Sequence, residues 1–316
     1  MRVTSQMMSD NAVKYMQDNL ERMSRLQQQA ASGKKIQYAS EDPALAVSSL
    51  SLRSTLRKHE AYLETARVTR EWLNANEIAF RQFNDLAMRA VTLMEEGISD
   101  VNGADERAAM AVEMEGILEQ AVQVANTTHR GSFIFAGYKT TSASITLPNT
   151  NQMPWQMTPA PPGALPTAVT YGGDAGVIQN AIEPTQQVVI NLHGQQVVNG
   201  EQLLPQFFQR LVTARDQLSA APKNVAAMVT ALTDLQTSHT NLKDFRTANG
   251  ARVRQVDDSI ARMEQTDLAL KNLLSHQEDV DLAETVSQLK LQETAYQTVL
   301  QVGARALPPS LFDFLR

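Results

Sequence analysis

Apolar residues recur at helical spacing along most of this chain, and one stretch in the middle breaks the pattern. Near the C-terminal end, Leu282, Val286, Leu289, Tyr296 and Leu300 step by threes and fours, with Glu293 interrupting the row. They predict a helix with one narrow apolar stripe, ended by Pro308 and Pro309. Beyond the prolines lie Leu311, Phe312, Phe314 and Leu315. Ends of chains fray unless something holds them, so an end this apolar calls for a partner.

Residues 1–31 predict a helix carrying Met16, Leu20, Met23 and Leu26, with Ser32-Gly33 as its C-cap. A polar turn follows, in which Ser40 or Asp42 can cap the next helix and Pro43 takes its first position. Leu45, Leu52, Ala66, Leu73 and Phe80 then fall on a seven-residue beat, with His59 in the missing slot and Leu56 and Leu63 on the second seam position. This heptad pattern predicts a long coiled-coil helix reaching about Glu96. A further helix over 105–128 presents Met110, Met114, Leu118 and Val122. Helix returns near Glu201, and a last long helix, expected from about Gly250, uses Val256, Ile260, Met263, Leu270 and Leu274. The segment SHQEDVD interrupts that seam, which resumes at Leu282 one residue out of step: a stutter or a local break.

Residues 131–200 differ. They hold eight of the 14 glycines and seven of the 12 prolines, but only Lys139, Asp174 and Glu183 carry charge. Short β-like runs, SFIFAGY and QQVVINL, stand between turns. The prediction is a mainly α protein: a long coiled-coil-like bundle built by the N- and C-terminal halves, with a small β-rich domain inserted. The low-complexity run PAPPGALP keeps a disordered linker open as the competing reading. Five segments follow: 1–44, N-terminal helix and turn; 45–130, first half of the bundle; 131–200, the insert; 201–278, second half; and 279–316, last helix and tail.

Composition narrows the function. Aromatic residues make up 5% of the chain, which suits helix seams of Leu, Val, Met and Ala. Net charge is −6 and no Lys/Arg cluster is interleaved with aromatics, which argues against nucleic-acid binding. There is no cysteine, hence no disulfide, thiolate metal site or thiol catalysis. No run approaches the ~20 apolar residues of a membrane span, and the opening MRVTSQMMSDNAVKYM lacks a signal-peptide core. If the protein is exported, a cleaved secretory signal is not the route.

Candidate chemistry is sparse. Glu278, Asp279, Asp281 and Glu284 form an acidic cluster without the glycine and ligand spacing of an EF-hand, so solvated charge or helix N-capping is the preferred reading. His59, His129, His193, His239 and His276 show no metal-ligand spacing, and His59, on the seam beat, reads as a packed, hydrogen-bonded residue. No nucleophile elbow, P-loop or dinucleotide fingerprint occurs. No catalytic, cofactor or metal site is predicted, and the expected sites are polymer contacts: Met16, Leu20, Met23, Leu282, Val286, Leu289, Leu300, Leu311, Phe312 and Leu315.

Five stretches carry a family resemblance: MRVTSQMM at the start, GKKIQYASEDPALA (Gly33 to Ala46), RGSFIFAGYKT (Arg130 to Thr140), EDVDLAE (Glu278 to Glu284) and SLFDFLR (Ser310 to Arg316). In content and order they resemble the flagellin superfamily. The start and the ending are similar to its hook–filament junction members rather than to flagellins. About 140–190 carries no match. The resemblance implies terminal helices that form a polymerisation core, poorly ordered in the free subunit and coiled together in the assembly. It implies a non-catalytic, extracellular flagellar subunit, exported unfolded through the type III apparatus with an export chaperone. A ring of copies would stand between hook-associated protein 1 and the first flagellins. Two alternatives stay open: a flagellin that builds the filament itself, and a secreted coiled-coil effector or an enzyme with its site in the insert.

Overall fold

The computed structural model describes residues 5–141, 153–158 and 165–306. Along these residues run α1 (Ser5–Ser32), α2 (Pro43–Ile98), α3 (Ala104–Ala125), β1 (Thr128–His129), β2 (Ser132–Phe133), β3 (Trp155–Met157), β4 (Val169–Tyr171), β5 (Gln179–Glu183), β6 (Gln186–Val189), β7 (Val197–Val198), β8 (Glu201–Gln202), α4 (Leu203–Ser219), α5 (Val225–Glu278) and α6 (Leu282–Ala306).

The helix ends obey local chemistry. Gly33 takes φ +69° and donates its N–H to the Gln29 carbonyl at 2.8 Å, closing α1. Asp42 Oδ1 accepts the Leu45 N–H at 2.9 Å, and Pro43 opens α2 where a missing N–H does no harm. Two expectations need correcting. The helix expected over 105–128 stops at Ala125: Asn126 leaves the helical backbone conformation at φ −97°, ψ 15°, and its side-chain amide brackets Trp155, donating to its carbonyl at 2.7 Å and accepting its N–H at 2.9 Å. No helix starts at Gly250, since α5 runs unbroken from Val225. A lone glycine inside a helix costs only about 1 kcal/mol, which packing can override; beside it, fully buried Asn249 ties α5 to α2 by donating to the Leu73 carbonyl at 3.0 Å.

The chain divides into two compact units, Met1–Glu60 with Gln265–Arg316, and Ala61–Glu264; α2 and α5 contribute to both. The second unit holds the core. Phe80 is fully buried with its ring 5.8 Å from Phe83, 5.7 Å from Phe135 and 4.6 Å from Phe245. Phe207, Phe208 and Trp155 extend that cluster, and Met114, Leu118 and Val122 of α3 join it as the spacing predicted. A second cluster joins Leu63, Ala66 and Leu73 of α2 to Val256, Ile260 and Met263 of α5, so the two helical halves do pack together.

Among the described residues the strands form four separate antiparallel pairs, β1–β2, β3–β4, β5–β6 and β7–β8, with no sheet shared between them. Arg130-Gly131 closes the first pair and Asn199-Gly200 the last, all four residues at positive φ, as two-residue hairpin loops require. These pairs lie against helices. Trp155, Ile182, Val188 and Leu192 are buried in the two helical clusters, and Asn76 of α2 donates to the Ile190 carbonyl at 2.8 Å. Most of the PAPPGALP run lies outside the described residues.

Candidate polymerisation surface

The first unit is built differently. Among its described residues, Leu56 is the one buried apolar side chain. Its heptad positions Leu45, Leu52 and His59 are half-buried, where Ala66, Leu73 and Phe80 on the same beat in the second unit are fully so. His59, expected to be hydrogen-bonded, has no partner for its buried Nδ1.

Its main feature is a helical arm, α1 packed along α6. The pair is antiparallel. Gln292 Nε2 donates to Asn19 Oδ1 at 2.5 Å, and an antiparallel bridge joins Lys34 to Asp279 at the arm's base. Met16, Asn19, Met23 and Leu26 of α1 and Leu289, Gln292, Tyr296 and Val299 of α6 are half-buried, and Thr285 is buried. These residues recur at i, i+3, i+4 and i+7, the spacing of a two-helix contact.

The other predicted contact residues point elsewhere. Leu20, Leu282, Val286 and Leu300 are between 41% and 54% exposed. Helical periodicity puts them, with exposed Val13, on one side of the pair, and puts exposed Tyr15, Leu291 and Val302 on the other. Leu311, Phe312 and Leu315 lie outside the described residues. The described part of the predicted set thus splits into Met16, Met23 and Leu289, which close the arm, and Leu20, Leu282, Val286 and Leu300, which leave a face open. Leu291 and Val302, the most exposed apolar residues of α6, escaped the single-stripe reading although they lie three helical turns apart.

At the base of the arm two chain breaks meet: residues 33–42 between α1 and α2, and Asp279–Asp281 between α5 and α6. The interrupted seam before Leu282 is therefore a break. Lys35 N–H donates to the Glu278 carbonyl at 2.6 Å and Val280 N–H to the Gly33 carbonyl at 3.0 Å. Arg53 grips the Glu278 carboxylate with two bonds of 2.7 and 2.6 Å, and Lys34 Nζ bridges Glu278 at 3.2 Å and Asp279 at 2.6 Å. Asp279 also accepts from the Ser275 hydroxyl at 2.6 Å.

The acidic cluster is therefore not uniformly solvated. Asp281 caps α6, accepting the Ala283 N–H at 2.9 Å, as N-capping predicts. The Glu278 side chain is only 5% exposed, because a carboxylate held by two cations can be buried at low cost. The Arg53 hydrogen bonds, aided by Lys34 and opposed by burial, hold its carboxyl below the usual value. Lys34 does the same for Asp279, and Asp279 in turn raises the Lys34 ammonium.

Among the described residues the first unit is thus a two-helix arm with apolar rows left open on two sides and one buried apolar side chain, Leu56. Residues 3–140 match the bacterial flagellin N-terminal helical region. The likeness along the whole chain is to flagellar hook-associated protein 3. The Salmonella typhimurium protein of that name is 23% identical over 339 residues, covering 100% of both chains. The Escherichia coli one is 22% identical over 333 residues, covering 99% of each. The crystal structure of Xanthomonas campestris FlgL shares the fold, with a TM-score of 0.56 at 16% identity over 71% of this chain and 99% of that one.

Proposed function

We propose that this chain is a structural subunit of the bacterial flagellum, standing at the junction between hook-associated protein 1 and the flagellin filament. The observation that carries this reading is the arm. Apart from Leu56 its unit has no buried apolar side chain among the described residues, yet it exposes Leu20, Leu282, Val286, Leu291, Leu300 and Val302. Leaving that surface in water forgoes roughly 25 cal/mol per Å² of apolar area, so neighbours in an assembly stabilise what the chain alone cannot. Copies that meet through two unlike sides make heterologous contacts, and these close into a ring when the rotation allows. The ends 1–44 and 279–316 serve as the polymerisation segments, with the tail Leu311, Phe312 and Leu315 among the contacts. The protein acts outside the cell without catalysis, reaching its place by the flagellar export route with a chaperone's help. The filament-flagellin and effector readings are not favoured, because the whole-length likeness runs to hook-associated protein 3.

The test is self-assembly of the purified full-length chain, alone and seeded with filament fragments, followed by sedimentation and electron microscopy. Monomers that bind filament ends through the arm are expected. Long filaments of this chain alone would make it a flagellin, and failure to bind any end would overturn the junction reading.

A further inference from the structure

We propose that Asn102–Gly103, in the loop between α2 and α3, is a self-modifying site at which the chain deamidates itself. Three Asn-Gly pairs occur, at 102, 199 and 249, and glycine after asparagine leaves the next peptide nitrogen open to the side chain. The fold closes two of them. Asn249 is fully buried inside α5, where the helical ladder holds the Gly250 N–H. Asn199 stands in a hairpin loop at φ 50°, and its amide donates to Asn241 Oδ1 and Asp244 Oδ2, both at 2.9 Å. Asn102 is half-buried, and Gly103 precedes α3 in an extended backbone conformation, with no ladder bond on its N–H.

Two groups beside this pair fit the chemistry. A peptide nitrogen is a poor nucleophile because its electron pair is delocalised into the carbonyl. Loss of its proton puts charge on the Asn102 carbonyl oxygen, which faces Arg107 Nη1 at 3.4 Å, as the Gly103 carbonyl does at 3.2 Å. Arg107 is 7% exposed, its Nε has no hydrogen-bond partner and it makes no ion pair among the described residues, so a developing negative charge is the partner it lacks. The Glu106 carboxylate stands so close over Gly103 that a Cβ there would lie 2.6 Å from Oε2, which sets a base beside the Gly103 backbone.

Glu106 takes the Gly103 proton, the nitrogen bonds to Asn102 Cγ, the Cγ–Nδ2 bond breaks, and ammonia leaves with the proton from Glu106. Water then opens the cyclic imide at either carbonyl, giving aspartate or isoaspartate, and nothing is oxidised or reduced. The product reverses the part played by residue 102. The Asn102 amide donates to the Glu96 carbonyl at 2.6 Å near the end of α2. A carboxylate cannot donate; that negative helix end repels it, while the positive end of α3 and Arg107 attract it. The step is one-way, so the loop records the age of each copy.

The test holds the full-length protein at neutral pH for days, in native buffer and in parallel in denaturant, and maps each pair by mass spectrometry, which reads the exchange of NH2 for OH. Natively, residue 102 should be modified fastest of the three and faster than in the denatured chain, where all three should react alike. Arg107→Met and Glu106→Gln should each slow it by about tenfold or more, while Arg107→Lys, which keeps the cation, should retain most of the rate. A native rate at residue 102 no higher than the denatured one would overturn the proposal. So would an undiminished rate in either variant at an unchanged thermal midpoint. The site lies wholly within the second unit and no readout requires assembly, so the proposal can fail while the junction reading stands.

Discussion

Glu278 shows how one side chain can make an elbow sensitive to acid. Its carboxyl is held below the ordinary value by Arg53 and Lys34, and that of Asp279 by Lys34 and Ser275. What they contribute is therefore complete above the unfolded carboxylate range, about 4, and is lost as pH falls through the depressed folded values. The raised Lys34 value acts at the other extreme, its share holding below about 10.4 and lost only as pH rises through the folded value. Hydrogen exchange at the α6 amides should thus show protection falling between neutral pH and about pH 3, with a shallower fall in Glu278→Gln. That substitution should lower arm stability by about 1.5 kcal/mol, the low end for bonds to a charged group, because Arg53 and Lys34 are half-exposed. Phe80→Ala, by contrast, empties a fully buried site among three phenylalanine rings and should cost about 3–5 kcal/mol in denaturant unfolding of the second unit. Phe80 was legible in the sequence because it falls on the heptad beat. Glu278 was not, because its partners Arg53 and Lys34 lie more than 200 residues away and charge patterning along one segment does not reach that far.

Elements bounded by local chemistry were readable in advance, as the Ser32-Gly33 cap and the Asp42-Pro43 start show. Gly250 misled because glycine is a weak break signal, and the buried Asn249–Leu73 bond that carries α5 past it is tertiary. The stripe on α6 was read as one surface, whereas the presence of α1 divides it. Leu289 closes the arm, and Leu282, Val286 and Leu300 face outward. Leu289→Glu should therefore open the α1–α6 pair, reducing helix content by circular dichroism and blocking incorporation while the strand pairs of 131–200 stay folded. Val286→Glu should leave the monomer's helix content unchanged and abolish assembly alone. Restored motility in either variant would contradict the corresponding assignment.

On the scale of the molecule, burial is lopsided. The phenylalanine cluster and the α2–α5 seam both lie within Ala61–Glu264, and the ends of the chain contribute almost nothing to them. A fragment spanning 61–264 should thus unfold cooperatively and with nearly the thermal midpoint of the same unit in the full chain, as followed by near-ultraviolet circular dichroism of Trp72 and Trp155. Loss of that transition in the fragment would show that the arm contributes to folding as well as to assembly. The stitched breaks at the foot of the arm also have a mechanical meaning. Gly33–Val280 and Lys35–Glu278 stand level with each other, so tension drawn along the arm enters α2 and α5 side by side. A pull is then shared between two chain paths that the Arg53–Glu278–Lys34 clip ties to each other.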